Sequence, residues 1–304
     1  MTPVTNPSEQ LPQAFARTAS TKPFPARKMR SLTALALGIA VLVSTVARDA
    51  RALLPVANLY NVDETTTAAF GTLNQANVGP NGANGANNFC APTATMNSFT
   101  FLENAYPSVY GNLLMGGQAS WQLAGQLLAG ATYMATDPNS GTSVANWVSG
   151  KVNYINKFAP NTTTFAGMGT GGYPWLNAAN PTANFLLQQL QTGEDVELAI
   201  FPTVAGGIGH VLTLTGINWN DANGNNLFDA GDTLTLNTID PGNPGVNTQL
   251  TLSPGGLLGI TGANYNTYTL GVALAESPVP EPTTVSLILL SGGAIAFFRN
   301  HRAK

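Results

Sequence analysis

The stretch Asn87-Asn88-Phe89-Cys90-Ala91-Pro92-Thr93-Ala94-Thr95-Met96-Asn97 decides how the rest of the chain is read. Cys90 is the only cysteine, and it stands between two kinds of sequence. Before it runs a Gly/Asn-rich loop, Asn81-Gly82-Ala83-Asn84-Gly85-Ala86. After it comes a segment that reads as helix. Pro92 suits a first helical turn, where a missing N–H is no loss. Ala94, Met96, Phe99, Phe101 and Leu102 supply the side chains for burial. A thiol at a helix start lies near unpaired N–H groups and the positive end of the helix dipole, and both favour the reactive thiolate. The same position also suits a buried, inert cysteine.

A reactive thiol needs a base. One of the two histidines, His301, is in the C-terminal tail, which leaves His210. Gly206-Gly207-Ile208-Gly209 precede it, and Val211-Leu212-Thr213-Leu214 follow with strand character. Leu234 to Asp240 reads as a second strand closed by Pro241-Gly242. Antiparallel pairing of the two strands would bring Asp240 to His210. The order is then nucleophile, base, and the group that holds the base's tautomer. The plainer reading is a strand-end histidine and a turn aspartate.

This pattern resembles papain-like cysteine peptidases, and in particular the bacterial bacteriocin-leader-processing branch. There a Cys opens a helix, a Gly-His begins a strand and an Asp-Pro ends the next. The matching residues are Cys90, Gly209-His210 and Asp240-Pro241, within a resemblance running from about Asn74 to about Val272. That family carries a Gln a few residues before the Cys as an oxyanion donor. Here Asn84 stands about there, with the same amide on a shorter arm, and the nearest upstream Gln is Gln75. The resemblance implies an α+β papain-like fold, with a helical N-terminal half and an antiparallel sheet in the C-terminal half. It implies hydrolysis of a peptide or protein substrate with no required cofactor.

Periodicity agrees with helices first and strands later. Helical stripes run through Trp121–Met134, Thr142–Phe158 and Pro181–Leu190, and strands through Val196–Ile200, Thr248–Leu252 and Tyr265–Val272. Leu53–Gln75 reads as an extended entry. Asn161–Asn180 reads as a Gly/Thr/Asn-rich loop suited to lining a cleft.

Charged residues are only 9% of the chain. Between Leu53 and Glu276 twelve acidic residues face two basic ones, Lys151 and Lys157, a net charge of −10. Such a body would be repelled by phosphates, so nucleic acid is excluded as a partner. It would tolerate cations. Asp221, Asn223, Asn225, Asp229 and Asp232 sit at positions 1, 3, 5, 9 and 12 of a calcium-loop spacing. Asn226 replaces the usual Gly at position 6, and Asp232 replaces the usual Glu. A structural Ca²⁺ and a plain polar hairpin loop are the two readings.

Both ends read as targeting segments. Arg27, Lys28 and Arg30 precede an apolar run, Leu32–Val46, and Ala50-Arg51-Ala52 fits signal-peptide cleavage. Export into an oxidising compartment makes a lone unpaired thiol more telling. At the other end Pro280-Glu281-Pro282 leads into an apolar run, Ser286–Phe298, and a basic tail. This resembles the PEP-CTERM sorting signal of Gram-negative bacteria. It implies an exosortase-type partner, a transient anchor in the membrane, and a final place at the cell surface or in the matrix. The expected domains are 1–52 (extension and signal), 53–276 (catalytic body) and 277–304 (sorting signal). A non-catalytic surface or biofilm-matrix protein, or acyl transfer by the same triad, are the alternative functions.

Overall fold

The computed structural model describes residues 59–79, 88–170, 172–205, 209–255, 257–262 and 264–279. The expected signal segment, the expected sorting segment from Pro280 onward and Asn84 lie outside these residues. No helix among the described residues is long and apolar enough to cross a membrane.

Among the described residues nine strands form one sheet. They are β1 (Leu59–Asp63), β2 (Thr163–Met168), β3 (Leu176–Asn177), β4 (Asp195–Pro202), β5 (His210–Asn220), β6 (Thr233–Ile239), β7 (Asn247–Ser253), β8 (Leu258–Thr261) and β9 (Tyr268–Pro278). From β5 to β9 each strand pairs antiparallel with the next, and β4 pairs with both β5 and β9. Six strands, β4 to β9, therefore close into a barrel, which removes their free edges. β1 extends the sheet from β5, and β2 with β3 extends it from β9.

Among the described residues four α-helices accompany it: α1 (Cys90–Ala105), α2 (Trp121–Ala129), α3 (Val144–Phe158) and α4 (Ala183–Gln191). Ser120, Ser143 and Thr182 cap α2, α3 and α4 by accepting the N–H of Leu123, Asn146 and Phe185. α1 is buried on every side from Cys90 to Phe99. Such a helix has no polar face to give to solvent.

The expected papain-like α+β fold, with a helical N-terminal half, is thus corrected. The sheet is a mostly closed antiparallel barrel, and it draws strands from both ends of the described chain. The stretch Asn161–Asn180, read as loop, contributes β2 and β3. Its Gly and Thr content hid a strand whose partner, β9, lies about a hundred residues further on. β9 also runs to Pro278, past the expected domain boundary at 276.

Strand alternation sorts the side chains into two cores. Val196, Leu198, Ile200, Leu212, Leu214, Leu236 and Leu250 fill one cluster with other barrel residues. Ala199, Val211, Val272 and Leu274 face the other way and pack with α1 and α3. Because helices cover this outer face, Asp195, Glu197 and Glu276 on it are also buried.

Candidate active site

Cys90 is the first residue of α1 and His210 the first of β5, while Asp240 directly follows β6. The β5–β6 register pairs Thr213 with Ile239, which brings the His210 and Asp240 ends together. The His210 Nε2–H donates to Asp240 Oδ1 at 2.8 Å. The other ring nitrogen, Nδ1, is left for the thiol, and Cys90 lies close enough to favour the charged imidazole. Gly209 makes room for this. A Cβ there would lie 2.9 Å from the Phe201 ring.

Asp240 is held from three sides. Besides His210, it accepts from the Gly242 N–H at 2.7 Å and the Tyr265 hydroxyl at 2.6 Å. The Tyr265 ring also stacks on the imidazole, centroids 5.6 Å apart and planes at 21°. Gln75 ties the same turn to the chain ahead of Cys90, its N–H donating to the Pro241 carbonyl at 2.8 Å.

The electrostatics follow from these contacts. Burial favours neutral His210, but the hydrogen bonds and charges of Asp240 and Cys90 outweigh it, and its pKa is pushed up to about 9. Burial also favours neutral Asp240, yet His210, Tyr265 and Gly242 together hold its carboxyl below the usual range. A cationic imidazole beside a carboxylate is therefore the resting form near neutral pH.

A cavity of about 160 Å³ opens on the pair. Cys90, His210 and Asn88 line it, with Val144, Trp147 and Phe201 as apolar walls. The loop 137–141 shapes its rim, closed by reciprocal backbone hydrogen bonds between Asp137 and Gly141, and the Asn88 side chain donates to the Pro138 carbonyl. A larger cavity, about 560 Å³, lies beside Val78, Phe89 and Pro138, and among the described residues lining it only Asp137 is titratable.

Sequence reasoning singled out Cys90, His210 and Asp240, and the structure places them close together. It missed Tyr265, because nothing local marks a tyrosine fifty-five residues beyond His210 as its stacking partner. Asn84 is outside the described residues.

The five residues of the calcium-spaced loop are gathered between β5 and β6, but they bond one another. Asp221 accepts from the N–H groups of Gly224, Asn225 and Asn226. Asp232 accepts from Ala222, Asp229 and the Trp219 indole, and Asp229 from the amides of Asn223 and Asn225. Asn226 has a φ of 59°, so it supplies the left-handed turn that Gly supplies at position 6. Among the described residues no group of three or more His, Cys, Asp or Glu side chains is placed to hold a metal ion. Calcium here would need the Asn223 and Asn225 amides to turn their oxygens inward.

No protein-family model and no curated protein matches the chain.

Proposed function

We propose that the protein is a cysteine hydrolase acting on peptide bonds. The observation that carries this is a cavity lined by Cys90 and His210, with Asp240 hydrogen-bonded to the imidazole behind it. In the mechanism, Cys90 sulfur attacks the scissile carbonyl while cationic His210 Nδ1 stands ready to protonate the leaving amine. A thioester on Cys90 results. His210, now neutral, takes a proton from water, and the hydroxide attacks the thioester to release the acid. Asp240 keeps the Nε2 proton in place throughout, and Tyr265 positions Asp240.

The backbone N–H of Cys90 is one of the helix's first N–H groups, which have no partner within α1. It is suited to receive the oxyanion. The signal and sorting segments support export and surface placement as part of the same proposal, with a sorting enzyme as partner.

The test is alkylation. Cys90 should react with iodoacetamide between about pH 5 and 6, and His210→Ala should lose that reaction. Cys90→Ala should lower hydrolysis of a denatured protein substrate at least about a thousandfold while leaving the fold intact. A thiol that reacts only under denaturing conditions would favour the matrix-protein reading. Transfer to an added amine in preference to water would favour the acyl-transfer reading.

A further inference from the structure

A second polar cluster lies away from the catalytic row, sealed between α3 and the barrel. Lys151 of α3 is 1% exposed, Asp195 and Glu197 of β4 are 0%, and Glu276 of β9 is 1%. Lys151 Nζ contacts Glu197 Oε2 and lies 2.5 Å from Glu276 Oε2. Asp195 and Glu276 are cross-strand partners, and the Ser98 hydroxyl of α1 donates to Asp195. One ammonium thus faces three carboxyl groups where solvent cannot reach.

Full ionisation would bury two uncompensated negative charges, at several kcal/mol per ion. Protons are taken up instead. Burial, reinforced by Glu197 and Asp195 against Lys151, holds Glu276 well above the ordinary carboxyl range, and burial raises Asp195 to about 6. Glu197 Oε1 and Asp195 Oδ1 remain buried without a hydrogen-bond partner.

We infer that Lys151 and Glu197 become joined by an amide bond inside the folded chain, with Glu276 relaying the protons. An amine held against a carboxyl in a dry site needs no approach step. Exclusion of water also removes the competing hydrolysis.

The step balances without an oxidant. Neutral Glu276 gives its acid proton to Glu197 Oε2 as it takes one from the Lys151 ammonium, and the freed amine lone pair attacks Cδ of Glu197. The Nζ–Cδ bond forms and the Cδ–Oε2 bond breaks. Two protons from the ammonium, relayed by Glu276, leave with that oxygen as water. Glu197 Oε1 stays as a neutral amide carbonyl, so the least-bonded charge of the cluster disappears. Glu197 is the acceptor because its other oxygen has no partner, while Glu276 retains Asp195 beside it. The bond would tie α3 to β4 in a chain whose single cysteine can form no internal disulfide.

The purified full chain tests this directly. Within the body trypsin cuts only after Lys151 and Lys157. The expected result is resistance after Lys151 in unfolded protein. The fragments bearing Lys151 and Glu197 should appear joined, about 18 Da lighter than their sum for one lost water. Glu276→Gln should form the joined species at least about tenfold more slowly. Free cleavage after Lys151 with unmodified masses overturns the inference. So does a water loss that fragmentation places at an Asp, or a bond from Lys151 to Glu276. Formation as fast in Glu276→Gln as in wild type removes the relay. The measurement is independent of catalysis at Cys90.

Discussion

The Cys90 row and the Lys151 cluster are both polar groups where helices meet one barrel, the first at the ends of β5 and β6 and the second on the outer face of β4 and β9. They differ in what closes them. Loop residues and Gly209 leave a cavity in front of Cys90 and His210, whose side chain is still 14% exposed. Side chains of α1, α3, β4 and β9 leave no opening over Lys151, 1% exposed. The first arrangement spends burial on a charge pair that can meet a substrate. The second has no access, so its charges must be neutralised where they stand. Polar chemistry on this scaffold is therefore divided by solvent access rather than by residue type.

The largest effect should come from breaking the sealed cluster. Lys151→Ala removes the nitrogen that Glu197 meets, as ion pair or as amide, and leaves three carboxyl groups facing one another; removing one partner of a buried pair costs about 3–5 kcal/mol. For a body of this size that lowers the melting temperature by roughly 10 °C. Denaturant unfolding of the variant checks it, and a loss below about 1 kcal/mol would mean the cluster is already neutral.

Titration sharpens the same contrast. Glu64 is buried, and burial followed by Asp195, Glu194 and Asp63 raises it to about 9. Burial raises Glu103 to about 7 against the Leu114 and Met115 N–H groups. A carboxyl raised on folding favours the native state only while protonated, so its contribution is complete below about 4.5 and is lost through the raised value. His210, raised on folding to about 9, contributes below about 6.5 and loses that contribution through about 9. All three shifts have one sign. Thermal stability should fall steadily from about pH 5 to about pH 9, and Glu64→Gln should flatten the curve. Asp240, lowered on folding, acts oppositely and only at the acid end.

These two clusters were not equally legible in the sequence. Cys90, His210 and Asp240 each sit at an element boundary, where Gly, Pro and a change of periodicity are visible locally. The individual helices and the barrel strands other than β8 are visible for the same reason. Barrel closure is not, because the β4–β9 pairing joins residues some eighty apart and leaves no local mark. Without that closure and its helical cover, Glu197 and Glu276 read as solvent-facing residues of alternating strands. The outer face of β4 is buried only because α1 and α3 lie on it.

A moderate effect should follow at Tyr265. Its hydroxyl satisfies the Asp240 oxygen that His210 does not use. Tyr265→Phe keeps the ring stacked on His210 but leaves that oxygen bare, at about 1.5 kcal/mol for a hydrogen bond to a charged group. The turnover number should drop about tenfold with the Michaelis constant unchanged, because Tyr265 touches no substrate. The pH at which activity falls should also shift, which a purely structural tyrosine would not cause. Equal loss in both kinetic constants would place Tyr265 in the substrate cleft instead.

The smallest effect concerns a third polar group, a loop with buried aspartates at its base and an exposed tip. The loop from Asp221 to Asp232 closes on itself, with Asp221 accepting three backbone N–H bonds. We propose that Ca²⁺ binds there weakly, after Asn223 and Asn225 rotate to present oxygens. The loop's own hydrogen bonds must be given up, which keeps affinity in the millimolar range of extracellular sites. At ten times such a dissociation constant the stabilisation is about 1.4 kcal/mol, or roughly 3–5 °C in melting temperature. Asp229→Asn should abolish that rise without lowering the baseline, since Asp229 accepts only from exposed amides. Asp221→Asn should lower the baseline in EDTA as well, because its side chain is buried and closes the turn. An identical melting temperature in EDTA and in about 10 mM calcium would leave the loop as a hairpin held by its own side chains.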